Sequence, residues 1–486
     1  MLIPIGKQVW QKISRAKKDI RKKNLFQIMD KQKQMILRGN LAGLMWQMSW
    51  PAVLAMVLYG LNNFLDGIFV GHMISKTALA AVGIAYPLAQ FAQGLGSLIG
   101  TGIGSALSIW IGANDTGKLS QALGSVNYLS LISSILLTIP AYFYADHLVY
   151  LMGGRGEIAT LATEYFQVTV LGSFFWIHGL ALNMMIRAEG KMKTAAWMIA
   201  VGLIVDVALK PILIEAFGNR VSGAAWATNA AMIVYTLLGI WYYGTGRASF
   251  KTRFWSLVPD KAIIKETLSL GMPAFIMMVM IVIQNVVVFN ALNKYGKAGD
   301  VTFYTAVNRF YILLNTPLWG MMRALQPVAG MNYGAGQYQR LNTSYRLFSF
   351  TGLALLSPFW ILVMVYPSAV LSVMIPNEVF TATQLFDFRI YMSVLLSLPF
   401  IFMAMVWLPS IKEAKPASMI SILRQLALYI PVMLIVPAYY GVSSIYWASA
   451  MIDWFIFLLV IFTIRKSMGK LNRQFGTFSP DEQSPL

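Results

Sequence analysis

The amino-acid sequence predicts an all-α polytopic membrane protein with twelve transmembrane helices in two six-helix bundles, related by a pseudo-two-fold axis along the membrane normal. Three observations predict this class: the composition, the number of long apolar stretches and an internal repeat. Hydrophobic residues make up 57% of the 486 positions, 12% are charged, and the mean hydropathy is +0.62. A soluble domain of this size could not bury so much apolar surface.

Long apolar stretches follow one another between Met45 and Ile464. Each is close to the ~20 residues that cross ~30 Å of hydrocarbon as a helix. Runs such as LSLISSILLTIPAYFY lack the strict alternation of an outer-membrane barrel strand. The second and eighth spans are the longest and are the candidates for an internal break. The predicted spans are 46–71, 78–110, 119–145, 157–186, 194–216, 223–243, 267–293, 300–332, 342–366, 379–408, 414–438 and 445–464.

An internal repeat divides these spans into two halves. SWPAVLAM (49–56) matches GMPAFIMM (271–278), and IGANDTGKL (111–119) matches YGAGQYQRL (333–341), both at an offset of 222 residues. Each half has an even number of helices, so both start on the same side and the repeat is parallel. Such duplication is typical of transporters, although it also fits a channel. The predicted organisation is a basic cytoplasmic tail (1–45), an N-terminal lobe (46–243), a cytoplasmic linker (244–265), a C-terminal lobe (266–466) and a cytoplasmic tail (467–486).

The formal net charge of +19 is unevenly distributed along the chain. Eleven lysines and arginines precede Met45, and most of the others lie in the even-numbered connections between spans. The positive-inside rule therefore places both termini in the cytoplasm and the protein in the cytoplasmic membrane. This distribution explains the charge without a nucleic-acid partner. The sequence of the N-terminal tail is consistent with either an amphipathic helix that binds anionic lipids or a solvated arm.

Enzymatic and metal chemistry find no support in the residue pattern. The chain has no cysteine, and its three histidines lie in separate segments without metal-ligand spacing. Glycine runs such as GTGIGSA follow no strand, so they favour close helix packing rather than a nucleotide loop. No Ser/His/Asp constellation is visible. We expect a monomer that is not an enzyme and has no cofactor and no metal site.

Ionisable residues inside the predicted spans indicate a functional site, because each costs ~2.5–3.5 kcal/mol on insertion scales. Asp66 lies fifteen residues beyond Pro51, about 22 Å along a helix. Asp206 lies thirteen residues beyond Lys193, about 20 Å along its own span. Thr228 enters the sixth span from the opposite side. The three residues thus reach compatible depths, and we expect one polar cluster inside the first lobe.

Several motifs resemble the multidrug and toxic compound extrusion (MATE) family. In the first half these are P…LDGIFVG…ALAAVG, IGAND, RAEGKMKTA (187–195), KPILI and GAAWAT (223–228). In the second half they are PLWGMMRALQPVAGMNYGAG (317–336) and SILRQLALYIP (421–431). The resemblance covers about residues 45–465 in matching order. It implies twelve helices in two lobes and export of amphipathic compounds against an inward proton or sodium gradient.

The resemblance also implies roles for individual residues. Asp66 matches the family's coupling-ion carboxylate, and positions matching Asp206, Lys210 and Thr228 line the same site. Pro51 is expected to weaken the helical hydrogen bonds so that the first helix can bend. The alternatives are that Asp66 only satisfies interhelical hydrogen bonds and that Pro51 only marks the start of a helix.

One departure from the family pattern bears on the coupling ion. The family commonly has Asn followed four residues later by Asp-Pro, whereas this chain has DVALKP, with Asp206 and Lys210 one turn apart. An ammonium in place of a carboxylate would occupy the position and charge of a sodium ion. Lys210 therefore favours protons, unless its side chain extends toward the outer interface instead.

The second lobe has charges of its own, and a helix-seven carboxylate is missing near Ile281. We expect no ion site there. The charges predict a structural network, with binding of anionic or zwitterionic substrate groups as the alternative. Its candidate members are Arg309, Asp387, Arg389, Arg424 and Asp453.

The sequence therefore predicts a cation-coupled, in particular proton-coupled, antiporter that exports amphipathic drugs or toxic metabolites across the cytoplasmic membrane by alternating access. Its partners would be small amphipathic substrates, protons rather than sodium, and anionic lipids at the N-terminal tail. A lipid-linked oligosaccharide flippase of the related superfamily and a non-transporting membrane scaffold remain the alternatives.

Overall fold

The computed structural model describes residues 31–252, 256–375 and 378–475, and within these ranges the chain is helical and contains no strand. Twelve principal helices follow one another. They are α1 (Leu41–Met73), α2 (Lys76–Ala113), α3 (Thr116–Phe143), α4 (Gly156–Leu171 with Ser173–Ala188), α5 (Met192–Ala216), α6 (Val221–Gly244), α7 (Lys261–Tyr295), α8 (Ala298–Gly334), α9 (Tyr338–Val365), α10 (Ala382–Met392 and Leu398–Ser410, joined by the 3-10 turn Ser393–Leu396), α11 (Ala414–Ile422, the π turn Leu423–Tyr429 and Ile430–Tyr440) and α12 (Ser443–Phe475).

The length and composition of these helices suit a membrane. In the described part of the chain, nine helices are long and apolar enough to cross a bilayer, and counting each bent pair as one span gives eleven. The principal helix outside this set is α8, which carries Asp300, Arg309 and Arg323. Part of this polarity has a structural reason, because α8 lines a central cavity with residues between Tyr304 and Gln326, among them Arg323.

The second six helices repeat the first six. An offset of 222 residues relates the first residues of these helix pairs: Lys76 and Ala298, Thr116 and Tyr338, Met192 and Ala414, Val221 and Ser443. The same offset separates the first residues of two short helices, Ala145–Leu151 and Pro367–Met374. The repeat seen in the sequence is therefore a repeat of structure.

The second and eighth spans, which were the candidates for a break, are the continuous helices α2 and α8, and the bends lie in α4 and α10 instead. α4 turns by 50° at Gly172, where a Cβ atom would lie 2.1 Å from Asn229 Oδ1, so only glycine fits. α10 turns by 40° before its last segment, whose second residue is Pro399. Proline has no N–H to continue the helical ladder, so the chain can turn there.

The two lobes approach most closely where α2 packs against α7 and α8. A Cβ atom on Gly271 would lie 1.8 Å from the carbonyl oxygen of Leu98, and one on Gly102 would lie 1.9 Å from that of Thr267. A Cβ atom on Gly334 would likewise lie 2.0 Å from the carbonyl oxygen of Ile109. Backbones can meet this closely only where side chains are absent. The lobes are therefore closed together at the end of the molecule that holds the α2–α3 and α8–α9 connections, which we call the closed end.

Residues 31–40 lie across the closed end and contact both lobes. Gln32 donates a hydrogen bond to the carbonyl of Gly190 at 2.6 Å in the first lobe. Arg340 of the second lobe donates to the carbonyls of Ile36, at 3.1 Å, and Gly39. The part of the basic tail expected to bind lipid, residues 1–30, lies outside the described residues.

Candidate functional site

A buried cluster of two carboxylates and one ammonium joins α1 to α5. Lys210 Nζ donates to Asp206 Oδ2 at 3.1 Å, one turn away on the same helix, and to Asp66 Oδ1 on α1. The side chains of Lys210 and Asp206 are 3% and 4% exposed, whereas that of Asp66 is 30% exposed. Lys210 thus points into the cluster and not toward the outer interface, and Asp66 is its most accessible member.

Asn62 is a member of this cluster that the sequence interpretation missed. Its Nδ2 donates to Asp206 Oδ2 at 2.9 Å, and the residue is buried. Asn62 lies four residues before Asp66 on α1, so the two side chains share one face of the helix. That spacing was the signal in the sequence from which Asn62 could have been found.

Two acceptor atoms in the cluster receive no hydrogen bond from any described residue. They are Asp206 Oδ1 and Asn62 Oδ1, and both are buried. Two ionised carboxylates and one ammonium leave the cluster with one net negative charge. A buried acceptor without a donor is costly, and one added proton would neutralise the cluster and supply a donor for one of these two atoms.

The two remaining candidates of the first lobe stand apart from this hydrogen-bond network. Thr228 on α6 donates to the carbonyl of Ala224 in its own helix at 3.3 Å, so no described hydrogen bond links it to the cluster. Pro51 is buried inside α1, which continues from Leu41 to Met73. A role for Pro51 in helix bending therefore stays a prediction.

A cavity of about 490 Å³ lies between the lobes. The first lobe contributes Tyr59 and Gln93 to its walls, and the second contributes Trp319 and Arg323. Met56, Met184, Met277, Met278, Met322 and Met405 also line it. Flexible thioether side chains can adapt to apolar groups of different shapes, so these walls suit an amphipathic ligand.

The floor of the cavity is closed by a contact between the lobes. Gln326 Nε2 of α8 donates to the Thr101 carbonyl of α2 at 2.9 Å and to Ser105 Oγ at 3.0 Å. The glycine contacts between α2 and α7 lie at the level of this floor, and the contact of Gly334 on α8 with Ile109 lies beyond it, toward the closed end. A ligand in the cavity therefore meets a barrier on that side.

The charged residues of the second lobe do not form the single network that the sequence predicted. Arg424 and Asp453 form a bidentate ion pair at 2.7 and 3.0 Å on the cavity wall. Asp387 instead accepts from Ser443 Oγ at 2.5 Å, and Arg389 donates to the Met364 carbonyl at 3.0 Å. Arg309 is exposed and has no ion pair with a described residue. Asp387 meets α12 at Ser443, ten residues or about 15 Å from Asp453 on the same helix, so it does not reach the ion pair.

Comparison with known proteins places the chain among transporters. The family model MatE matches residues 51–212 and 273–435, once in each half. Multidrug export protein MepA of Staphylococcus aureus strain NCTC 8325 / PS 47 is 25% identical over 419 residues, which cover 83% of this chain and 89% of that protein. The corresponding protein of Staphylococcus saprophyticus is 23% identical over 420 residues, which cover 86% and 91%.

Solved structures share the fold. A crystal structure of MATE in the bent conformation aligns with a TM-score of 0.83 at 24% identity, covering 92% of this chain and 99% of that one. An outward-facing multidrug resistance MATE family transporter of the MOP superfamily aligns with a TM-score of 0.81 at 24% identity, covering 90% and 98%. The predicted fold class, twelve helices in two lobes, is confirmed.

Proposed function

Because the chain belongs to the MatE family, we propose that it is a proton-coupled antiporter that exports amphipathic drugs or toxic metabolites across the cytoplasmic membrane by alternating access. The relatives' names, multidrug export proteins, support the substrate class. The cavity between the lobes, with its methionine and aromatic walls, supports binding of amphipathic molecules.

Proton coupling is supported by the charge of the first-lobe cluster. Asp66, Asp206 and Lys210 together lack one positive charge, and two acceptor atoms lack a donor. Lys210 Nζ already pairs with both carboxylates, which disfavours a second cation such as sodium at the same oxygens. A proton, which needs no coordination shell, is the cation that fits this arrangement. Asp66 is the more accessible carboxylate and would receive it first.

Protonation changes which conformation is favoured. Neutralising Asp66 removes its ion pair with Lys210, which joins α1 to α5. The α1 helix also packs against α8 of the second lobe. A proton that loosens α1 from α5 can therefore shift the balance between the two arrangements of the lobes, as coupled transport requires.

The charge distribution supports an orientation. The connections at the closed end of the molecule, between α2 and α3 and between α8 and α9, belong to the basic set assigned to the cytoplasm. With both termini cytoplasmic, the closed end faces the cytoplasm and the cavity faces outward. The described conformation is then the one from which substrate leaves and the proton enters.

Reconstituted vesicles test this proposal. Export of an amphipathic fluorescent dye is expected to follow an imposed pH gradient, and to be unchanged when sodium is replaced by choline at fixed pH. Asp66→Asn is expected to abolish gradient-driven export while dye binding persists, because asparagine resembles the protonated carboxyl. Asp146→Asn, an exposed carboxylate between α3 and α4, is the matched control and is expected to transport normally.

The outcomes separate the competing functions. Wild-type export by Asp66→Asn, or export driven by a sodium gradient without a pH gradient, contradicts proton coupling at this cluster. Movement of a fluorescent lipid-linked oligosaccharide without dye export favours a flippase. A protein that moves neither compound under any gradient is a scaffold.

A further inference from the structure

Two arginines without an acidic partner among the described residues lie at or next to the floor of the central cavity. Arg323 of α8 lines the cavity directly. Arg187 is 1% exposed and lies in the last turn of α4, three residues after Met184, which also lines the cavity. Side chains on a helix tilt toward its N-terminus, so the guanidinium of Arg187 is directed back toward the cavity floor. The two arginines come from different lobes.

Neither arginine forms a hydrogen bond or salt bridge with a described residue, and Arg187 Nη1 is a buried donor without an acceptor. The charged and titratable groups within electrostatic range are the other arginine and the phenols of Tyr59 and Tyr235. Glu189, the carboxylate nearest to Arg187 along the chain, is held elsewhere by Tyr242, Tyr243 and Lys191. The two cations therefore lie within electrostatic range of each other, and no described acidic group compensates them.

Arg424 also lines this cavity, but its positive charge is compensated by a carboxylate of the same lobe. Its guanidinium forms two parallel hydrogen bonds with Asp453, which satisfies both groups within the protein. A buried cation without such a partner is unfavourable, and an arginine fork is the preferred group for a carboxylate or phosphate. Arg187 is buried and Arg323 is half-buried in the cavity wall, so a group that compensates both charges would enter from the cavity.

We propose that Arg323 and Arg187 bind an anionic group of the exported molecule, so that the transported compounds are amphiphiles that carry a carboxylate or a phosphate. Tyr235 would add a neutral donor to the same oxygens, and Tyr59 would do so after releasing its hydrogen bond to Gln93 Oε1. The assignment rests on the proposed export function, whose substrate class it narrows. An anion bound here would bridge α4 of the first lobe and α8 of the second, and would be released when the lobes separate at the floor.

A matched pair of dyes tests the subsite. The probes are a rhodamine with a free carboxylate and its methyl ester, which differ in this one negative charge. Binding to the purified protein is measured by fluorescence anisotropy, without any ion gradient. The carboxylate dye is expected to bind the wild type, and Arg323→Gln is expected to weaken its binding about tenfold or more, as loss of a charged hydrogen bond implies. The ester is expected to bind both proteins equally.

Arg309→Gln is the control, since it removes an exposed arginine from the same helix and is expected to change neither affinity. Arg323→Lys keeps the charge and is expected to retain part of the selectivity for the carboxylate dye. Ester binding by Arg323→Gln shows that the variant is folded. The assignment would be overturned if Arg323→Gln bound the carboxylate dye as tightly as the wild type. It would also be overturned if Arg323→Gln and Arg323→Lys both lost affinity for the two dyes to the same extent.

Lipid is the other source of an anionic group. Binding is therefore repeated in nanodiscs of phosphatidylcholine and of phosphatidylglycerol. Similar affinities in both support a substrate anion, whereas displacement of the carboxylate dye by phosphatidylglycerol would assign the arginines to a lipid headgroup and overturn the proposal. Arginine-dependent binding without gradient-driven export would leave the subsite standing and contradict the proposed antiport alone.

Discussion

The two lobes share one architecture but hold their internal charges at different positions. At the 222-residue offset, the cluster residues of the first lobe correspond to apolar residues of the second: Asp66 to Val288, Asp206 to Leu428 and Lys210 to Val432. The ion pair of the second lobe corresponds to small residues of the first: Arg424 to Gly202 and Asp453 to Ala231. Each lobe is therefore apolar where its counterpart is charged.

The two charged sites also differ in completeness. Both carboxylate oxygens of Asp453 accept hydrogen bonds from Arg424, so that pair is satisfied as it stands. In the first lobe, Asp206 Oδ1 accepts none, and one negative charge is left over. This difference in hydrogen bonding and charge shows that two copies of one scaffold can hold sites with different properties. On the proposed function, the first lobe would exchange the cation, while the ion pair of the second lobe is a fixed part of the cavity wall.

Lys210→Asp is expected to have the largest effect, because it breaks the cluster of the first lobe. Three neighbouring carboxylates without an ammonium repel one another unless a cation joins them. We expect proton-driven export to fall at least about tenfold, or to become dependent on sodium, since one pair at these distances is worth several kcal/mol. Dye efflux from vesicles in sodium and in choline measures both outcomes.

The comparison between lobes supplies the control for Lys210→Asp. Val432→Ala changes the corresponding position of the second lobe and is expected to keep proton-driven export. Sodium-insensitive export at the wild-type rate by Lys210→Asp would show that Lys210 is not part of the coupling site. The assignment of cation exchange to the first lobe would then fail.

Arg424→Leu is expected to lower stability through the second lobe. The substitution leaves Asp453 as an uncompensated charge whose side chain is 11% exposed. We expect the free energy of unfolding to fall by about 2 kcal/mol. This is less than the ~3–5 kcal/mol for breaking a fully buried pair, because the cavity admits water on one side. Replacing both residues by leucine is expected to restore most of this loss. Thermal unfolding in detergent measures it, and a double variant less stable than Arg424→Leu would contradict a simple ion pair.

Those features of the two lobes that depend on local sequence pattern could be predicted from the sequence. Apolar length, the repeat offset and the i, i+4 spacing of Asp206 and Lys210 predicted the helices, the two lobes and a shared face. Asn62 and Arg323 were missed, because their roles depend on which faces of separate helices meet. The bends in α4 and α10 were missed for the same reason, since Gly172 is required only by the position of Asn229 on another helix.

Gly271→Ala is expected to have a smaller effect, on the balance between conformations. The new methyl group would lie 1.8 Å from the Leu98 carbonyl oxygen, so α2 and α7 must separate at the closed end. Overpacking of this kind costs about 1–3 kcal/mol, which is enough to favour an arrangement in which the lobes are apart there. Gly83→Ala on α2 meets no atom within 4 Å and is the control.

Spin labels can measure the balance between conformations because the chain has no native cysteine. Labels at the exposed residues Ser120 of α3 and Thr343 of α9 report the distance between lobes at the closed end. Gly271→Ala is expected to lengthen this distance and Gly83→Ala to leave it unchanged. An unchanged distance in Gly271→Ala would mean that the glycine contact does not hold the lobes together.

Removal of residues 1–30 is expected to have the smallest effect on export, because the described contacts between the tail and the two lobes begin at Gln32. Export is expected to stay within about twofold of the wild type, since the contacts of residues 31–40 with both lobes are kept, while binding to vesicles that contain phosphatidylglycerol weakens with the loss of basic residues. Removal of residues 1–40 also deletes the buried Ile36 and the carbonyls that accept from Arg340. The longer deletion is therefore expected to lengthen the distance between lobes at the closed end, in the same spin-label assay. If both deletions give the wild-type distance, residues 31–40 do not link the lobes. If the shorter deletion abolishes export in a protein that inserts normally, the tail has a part in transport itself.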